Sequence, residues 1–258
     1  MPTVLKLGGS VVTRKDGVEQ VAVARLERAA GIIGRFHGRD GDAAGAADVD
    51  AADLVVVHGG GSFGHPNAER RGVTTSEGTH DAAAVRDIHD PMRELNRLVV
   101  GALSEAGVPA VQVAPLSAGH RVDGEFRQPV DAVAALLAEG FIPVLHGDVV
   151  ATAGGGVTVV SGDELVTTLA TGLDADRVGL CSDVPGVLDA GGAVVDRIER
   201  FEDVADALGG SEATDVTGGM AAKVRTLLEL GAPASVFDLD GLSAFLDGGS
   251  PGTWIDST

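Results

Sequence analysis

Short apolar runs alternate with longer stretches of helical period along the 258 residues. Residues 4–7 read as a first strand ending in Gly8-Gly9-Ser10, and residues 54–57 as a second. The second runs into His58-Gly59-Gly60-Gly61-Ser62-Phe63-Gly64-His65-Pro66. Helical spacing extends from about residue 21 to 36. It returns in Met92, Leu95, Val99 and Leu103, one apolar face with Gly107 and Pro109 as stop signals. A strand over 108–113, a hairpin over 121–127 around Asp123-Gly124, a helix over 130–138 and a strand over 141–146 follow. Gly154-Gly155-Gly156 reads as the tip of another hairpin. The second half repeats the alternation, with helices over 165–173 and 220–230 and strands over 177–181 and 234–237. Such alternation predicts an α/β fold, a three-layer αβα sandwich on a mostly parallel central sheet. No linker interrupts it, so one domain over 1–258 is expected, with two lobes meeting near residue 155.

Composition narrows the function classes. The chain has 38 acidic against 19 basic residues, a formal net charge of −19. That sign argues against nucleic acid, whose phosphates require basic stripes. Residues 38–53, mostly Asp, Ala and Gly, read as a solvated acidic loop. Abundant Asp, Ala and Gly with no Tyr resembles proteins of a high-salt cytoplasm, the alternative being an ordinary acidic protein. No apolar run approaches the roughly 20 residues of a membrane helix and no signal peptide opens the chain, so no membrane partner and a cytoplasmic location are expected. The lone Cys181 excludes a disulfide framework and a multi-thiolate metal site, and reads as a small buried apolar residue. His58, ending an apolar strand, reads as structural.

The glycines carry the chemistry. Gly59-x-Gly61-x-x-Gly64 matches the dinucleotide fingerprint, but that motif must open a helix, and Pro66 argues against one here. Gly60-x-Ser62-x-Gly64 matches a hydrolase nucleophile elbow, yet the apparent oxyanion loop His58-Gly59-Gly60-Gly61 overlaps it, whereas a hydrolase needs two separate loops. A reading as anion cradles fits better: consecutive glycines let backbone N–H groups approach phosphate oxygens with no Cβ in the way. Gly8-Gly9-Ser10, Gly59-Gly60-Gly61 and Gly218-Gly219 are three such turns. The chain has only three lysines, Lys6, Lys15 and Lys223, and each lies within six residues of one of them. Several cradles with several cations point to phosphoryl transfer.

Five segments in order, Lys6-Leu7-Gly8-Gly9-Ser10, His58-Gly59-Gly60-Gly61, Ser161-Gly162-Asp163, Ser182-Asp183-Val184-Pro185-Gly186-Val187 and Asp215-Val216-Thr217-Gly218-Gly219-Met220-x-x-Lys223, resemble the amino-acid kinase superfamily. Within it, Gly61-Ser62-Phe63-Gly64-His65-Pro66 and a lysine nine residues after Lys6 resemble the isopentenyl phosphate kinases. The resemblance implies a substrate lobe over about 1–155 and a nucleotide lobe over about 156–258. It implies ATP phosphates held by Lys6, Gly8, Gly9 and Ser10, with Gly61, Asp183, Gly218 and Lys223 lining the nucleotide site. Lys15 would stabilise the transferring group, Gly60, His65 and Gly162 would bind the substrate phosphate, and Asp163 would orient lysines. Asp163 could instead be a simple N-cap, and Asp183 a simple turn former. Val184-Pro185-Gly186 departs mildly from the family's turn.

The implied reaction is in-line transfer from ATP to isopentenyl phosphate, as in isoprenoid biosynthesis by the archaeal mevalonate route. Mg²⁺ would be held by the nucleotide phosphates, because no carboxylate cluster shows metal-ligand spacing. A homodimer is expected from the resemblance. Another small phosphate, a phosphonate such as fosfomycin, an amino acid, or mere nucleotide binding remain alternatives.

The charge also generates a stability prediction. At molar salt the Debye length falls to about 3 Å, which screens the self-repulsion of the −19 surface. The thermal midpoint should rise from dilute buffer to molar KCl, and a flat midpoint would defeat the high-salt reading.

Overall fold

A computed structural model describes residues 2–39, 53–208 and 219–256. The acidic stretch 40–52 and Gly218 lie outside the described residues. Strands β1 (Thr3–Leu7), β2 (Leu54–His58), β3 (Ala110–Gln112), β6 (Ile142–His146), β9 (Arg177–Ser182), β10 (Arg197–Ile198), β11 (Ala234–Asp238) and β12 (Thr253–Ile255) form an eight-stranded sheet, ordered β10-β12-β11-β9-β1-β2-β6-β3. Every pairing is parallel except β11 with β12, as the alternation of strands and helices predicts. A smaller sheet joins β4 (His120–Val122), β5 (Glu125–Arg127), β7 (Asp148–Thr152) and β8 (Gly156–Val160). Its two hairpins fall where the turn residues place them. At the tip of the first, Asp123 and Gly124 take φ of 52° and 82°, the twist that a two-residue hairpin turn needs.

The period of two along each strand sorts its side chains between two apolar layers. Leu5, Leu7, Leu54 and Val56 pack with α2 (Val23–Arg39), α4 (Ala82–Glu105) and α9 (Leu242–Leu246). Val4, Val55, Val57, Val178 and Leu180 pack with α5 (Asp131–Ala138), α6 (Gly162–Gly172) and α8 (Gly219–Leu228). The same alternation places Lys6 on the α6 side and turns His58 and His146 toward α4. Cys181 is buried, as expected, and burial pushes its thiol up to about 12. Among the described residues no helix is long and apolar enough to cross a membrane.

One expectation fails. The stretch after Gly60 is a helix, α3 (Gly61–Arg71), with Pro66 inside it, so Pro66 is no argument against a glycine turn opening a helix. Pro66 lacks the N–H that would bond the Ser62 carbonyl four residues back. That carbonyl accepts the Glu19 N–H instead, at 3.1 Å. His65, beside Pro66, is therefore a helical residue. The strands β10 and β12, two and three residues long, are too short to carry a legible period.

Candidate active site

The glycine turns converge at the carboxyl ends of the two central strands. Gly8 closes β1 with its N–H on the Cys181 carbonyl at 2.8 Å, and Gly59 closes β2 with its N–H on the Leu7 carbonyl at 2.9 Å. The turns approach so closely that a Cβ on Gly9 would lie 2.6 Å from the Gly61 nitrogen, and one on Gly59 2.7 Å from the Gly9 nitrogen. Gly61 takes φ of +45°, and a Cβ there would run into Thr13 Oγ1. Helix α1 (Gly9–Val12) starts from one turn and α3 from the other, so two helix N-termini gather in one place.

Lys6 reaches across from β1 to the first turn of α6, its Nζ 2.6 Å from Asp163 Oδ1. Lys223 on α8 lies 3.9 Å from Asp163 Oδ2, so one carboxylate faces two lysines. A Cβ on Gly162 would lie 3.2 Å from Lys6 Cε, which places that glycine against the lysine stem. The N-cap of α6 is not Asp163 but Ser161, whose Oγ accepts the Glu164 N–H at 3.1 Å while Glu164 Oε2 accepts the Ser161 N–H at 2.9 Å. This reciprocal cap leaves the Asp163 carboxylate for the lysines. The Ser-x-x-Glu spacing was the missed signal. Glu164 also pairs at 2.8 Å with the buried Arg121 of β4, tying the small sheet to this helix end.

A second group lies at the ends of β1 and β9. Ser10 Oγ donates to Asp183 Oδ1 at 3.0 Å, and Lys15 Nζ lies 2.6 Å from Asp183 Oδ2. Burial resists ionisation of Asp183, but Lys15, Ser10 and a backbone bond outweigh it and hold the carboxyl below its ordinary value. Lys15 is itself 76% exposed. His65 is exposed on α3, one turn beyond Gly61. The structure therefore brings together Lys6, Gly162, Asp163 and Lys223, and separately Ser10, Lys15 and Asp183. The turns Gly8-Gly9 and Gly59-Gly60-Gly61 lie against each other. Among the described residues no group of three His, Cys, Asp or Glu side chains is placed to hold a metal.

The amino acid kinase family pattern matches residues 1–232. The chain belongs to this family. This amino acid kinase is 58% identical to an isopentenyl phosphate kinase of Haloferax volcanii, over 98% of this chain and 97% of that one. That relative comes from a halophilic archaeon, in keeping with the acid-rich composition. This chain is also 35% identical to an isopentenyl phosphate kinase of Methanothermobacter thermautotrophicus, over 88% of this chain and 86% of that one. Among solved structures, it superposes on X-ray structures of isopentenyl phosphate kinase with a TM-score of 0.80 at 28% identity, covering 99% of this chain and 100% of the other. The resemblance seen in the five motifs thus extends over nearly the whole kinase chain.

Behind the glycine turns this kinase buries two stacked histidines. His58 and His146 are register partners on β2 and β6, with ring centroids 5.5 Å apart. A carbonyl can only accept, so His58 Nδ1–H donates to the Gly59 carbonyl at 3.1 Å and His146 Nδ1–H to the Gly147 carbonyl at 3.0 Å. His58 Nε2 lies 3.1 Å from the Asn96 side-chain amide. Burial, with the neighbouring His146, lowers His58 to about 3, and burial lowers His146 as well. In the unfolded chain both take up protons near 6.5. The fold holds His58 neutral, so the stability it contributes is complete above that value and is lost as pH falls from 6.5 toward 3, and the lowered His146 acts in the same direction. The buried His58 ring costs about 1.4 kcal/mol per pH unit in that window. Denaturant unfolding at pH 7 and pH 5 should therefore show the advantage of wild type over His58→Asn shrinking as pH falls. An advantage that stays constant would contradict a neutral buried His58.

Proposed function

We propose that the protein transfers the γ-phosphoryl group of ATP to isopentenyl phosphate, giving the diphosphate and ADP. The similarity along nearly the whole chain to relatives named for that activity carries the reading, and the site's chemistry supports it. Three lysines and crowded glycine N–H groups suit a ligand set with several phosphates. The acceptor oxygen belongs to a phosphate already anionic near neutral pH, so no general base is needed. It attacks the γ-phosphorus as the bond to the ADP oxygen breaks. The difficulty is bringing anions together, and the protein's groups address that.

In this reading Lys6 with Gly8, Gly9 and Ser10 holds the ATP phosphates, and Asp163 keeps Lys6 and Lys223 directed into the site. Gly61, Asp183, Gly218 and Lys223 line the nucleotide side. Gly60, Gly162 and His65 receive the acceptor phosphate, while Lys15 stabilises charge on the transferring group. The lysine-rich donor set suits a magnesium nucleotide whose metal rests on its own phosphates; when bound, Mg²⁺ neutralises phosphate charge. The first lobe supplies most of the acceptor side together with the ATP-phosphate turns, and the second supplies the rest of the nucleotide side, in a cytoplasmic homodimer.

His65 tests the substrate assignment. A hydrogen bond to a charged group is worth about 1.5–3 kcal/mol, so His65→Ala should lower kcat/KM for isopentenyl phosphate roughly 10- to 150-fold in a coupled ADP-release assay. Calorimetric affinity for ATP alone should hardly change. Wild-type turnover of carboxylate acceptors in place of isopentenyl phosphate, or equal losses in ATP binding, would overturn the reading.

A further inference from the structure

The segment between Thr13 and Val21 carries Lys15, and its own side chain does little to fix it. The Lys15–Asp183 ion pair is largely exposed at the lysine, and such pairs contribute at most about 1 kcal/mol. The segment is instead fastened to α3. The carbonyl of Ser62, released by Pro66, accepts the Glu19 N–H at 3.1 Å, and Ser62 Oγ accepts the Gln20 N–H at 3.3 Å. Ser62 N–H donates to Thr13 Oγ1 at 3.1 Å, and that hydroxyl donates to the Gly9 carbonyl at 2.8 Å. Asn67, fully buried on α3, donates Nδ2 to Glu19 Oε1 at 2.9 Å and to the Phe63 carbonyl at 2.8 Å. Arg70 donates to Asn67 Oδ1 at 2.7 Å, which fixes the amide's orientation. Glu19 adopts φ of +52°, a left-handed conformation that a glutamate takes at some cost, here compensated by two contacts at one residue.

We propose that Glu19 and Asn67 are positioning residues that latch the Lys15 loop to α3, so that the cation and the acceptor-side His65 share one rigid frame. Pro66 belongs to this device, since an ordinary residue there would offer its own N–H to the Ser62 carbonyl. The proposal rests on the reading of Lys15 as the group that stabilises the transferring phosphoryl. A latched loop presents the lysine already placed, which is worth more to a transition state than a cation that must be ordered during each turnover.

The test uses the full chain, with Glu19→Ala, Glu19→Gln and Lys15→Ala compared with wild type. Glu19→Ala leaves one donor of the buried Asn67 amide without its acceptor, so a thermal melt of each variant first establishes that it is folded at the assay temperature. Limited trypsin cleavage after Arg14 and Lys15 reads loop opening without reference to activity. Glu19→Ala should be cut there about tenfold faster and should lose about tenfold in kcat, the ratio expected when one hydrogen bond to a charged group leaves a closing equilibrium. Its KM for isopentenyl phosphate should not move. Glu19→Gln keeps an acceptor oxygen for Asn67 without the charge and should recover most of the wild-type behaviour in both assays. Lys15→Ala should lose roughly 10²–10³ in kcat. Wild-type cleavage of Glu19→Ala would overturn the latch. So would faster cleavage with undiminished kcat while Lys15→Ala is impaired, or a Glu19→Gln variant no better than Glu19→Ala. Full turnover by Lys15→Ala would sink the catalytic reading beneath the proposal, a failure distinguishable from that of the latch because the cleavage rates report loop opening independently of activity.

Discussion

The site depends on a steric constraint: two strand-end turns lie so close that neither Gly9 nor Gly59 has room for a Cβ. The approach follows from the in-register pairing of β1 with β2, Leu7 opposite His58, which makes both strands end at the same level. Two chains leaving adjacent parallel strands at one level must share the space above the sheet. Glycine permits it, and the backbone N–H groups that would otherwise be screened by side chains become the surface of the cradle. The short helix α1 and the helix α3 both start from this point, so the positive ends of their dipoles lie together.

Around that cradle the sheet acts as a divider. Alternation along β1 sends Leu5 and Leu7 into one apolar layer and Lys6 into the other, where α6 supplies Asp163. Lys6 is then a cation on a strand whose neighbours are buried, and its ion pair at 2.6 Å makes that position tolerable. On the opposite face the histidines are neutral and spend their Nδ1–H groups on the carbonyls of Gly59 and Gly147. The Lys6–Asp163 pair thus lies on the α6 side, while the two histidines on the other side contribute polar groups that fix the backbone. Arg121 and Glu164 extend the same logic outward, linking the small sheet to the helix end that carries Asp163.

Much of this was legible in the residues, for identifiable reasons. The central strands are short apolar runs ended by glycines, and α4 carries a clear apolar stripe, so both announce themselves. The three lysines stood out because the chain has so few. What stayed hidden was long-range or misread. The helix after Gly60 is obscured by Pro66, whose penalty is offset by Glu19, a partner for the Ser62 carbonyl that is distant in sequence and that no local rule can supply. The capping box of Ser161 and Glu164 was readable from its spacing, yet Asp163 drew attention because it is the charged residue. Asn67 gave no signal: its amide works by reaching a loop distant in sequence. Residues 40–52 and 209–218 lie outside the described residues.

The central claim is that backbone crowding between the two turns makes the nucleotide cradle, and a single methyl group tests it. Gly9→Ala places a Cβ against the Gly61 nitrogen, whereas Gly101→Ala on α4 meets open space and serves as the control. Calorimetric titration with ATP, on protein shown to melt cooperatively, should find Gly101→Ala unchanged and Gly9→Ala weakened by about 100-fold or more, roughly 3 kcal/mol. A folded Gly9→Ala protein that binds ATP with wild-type affinity would contradict the account.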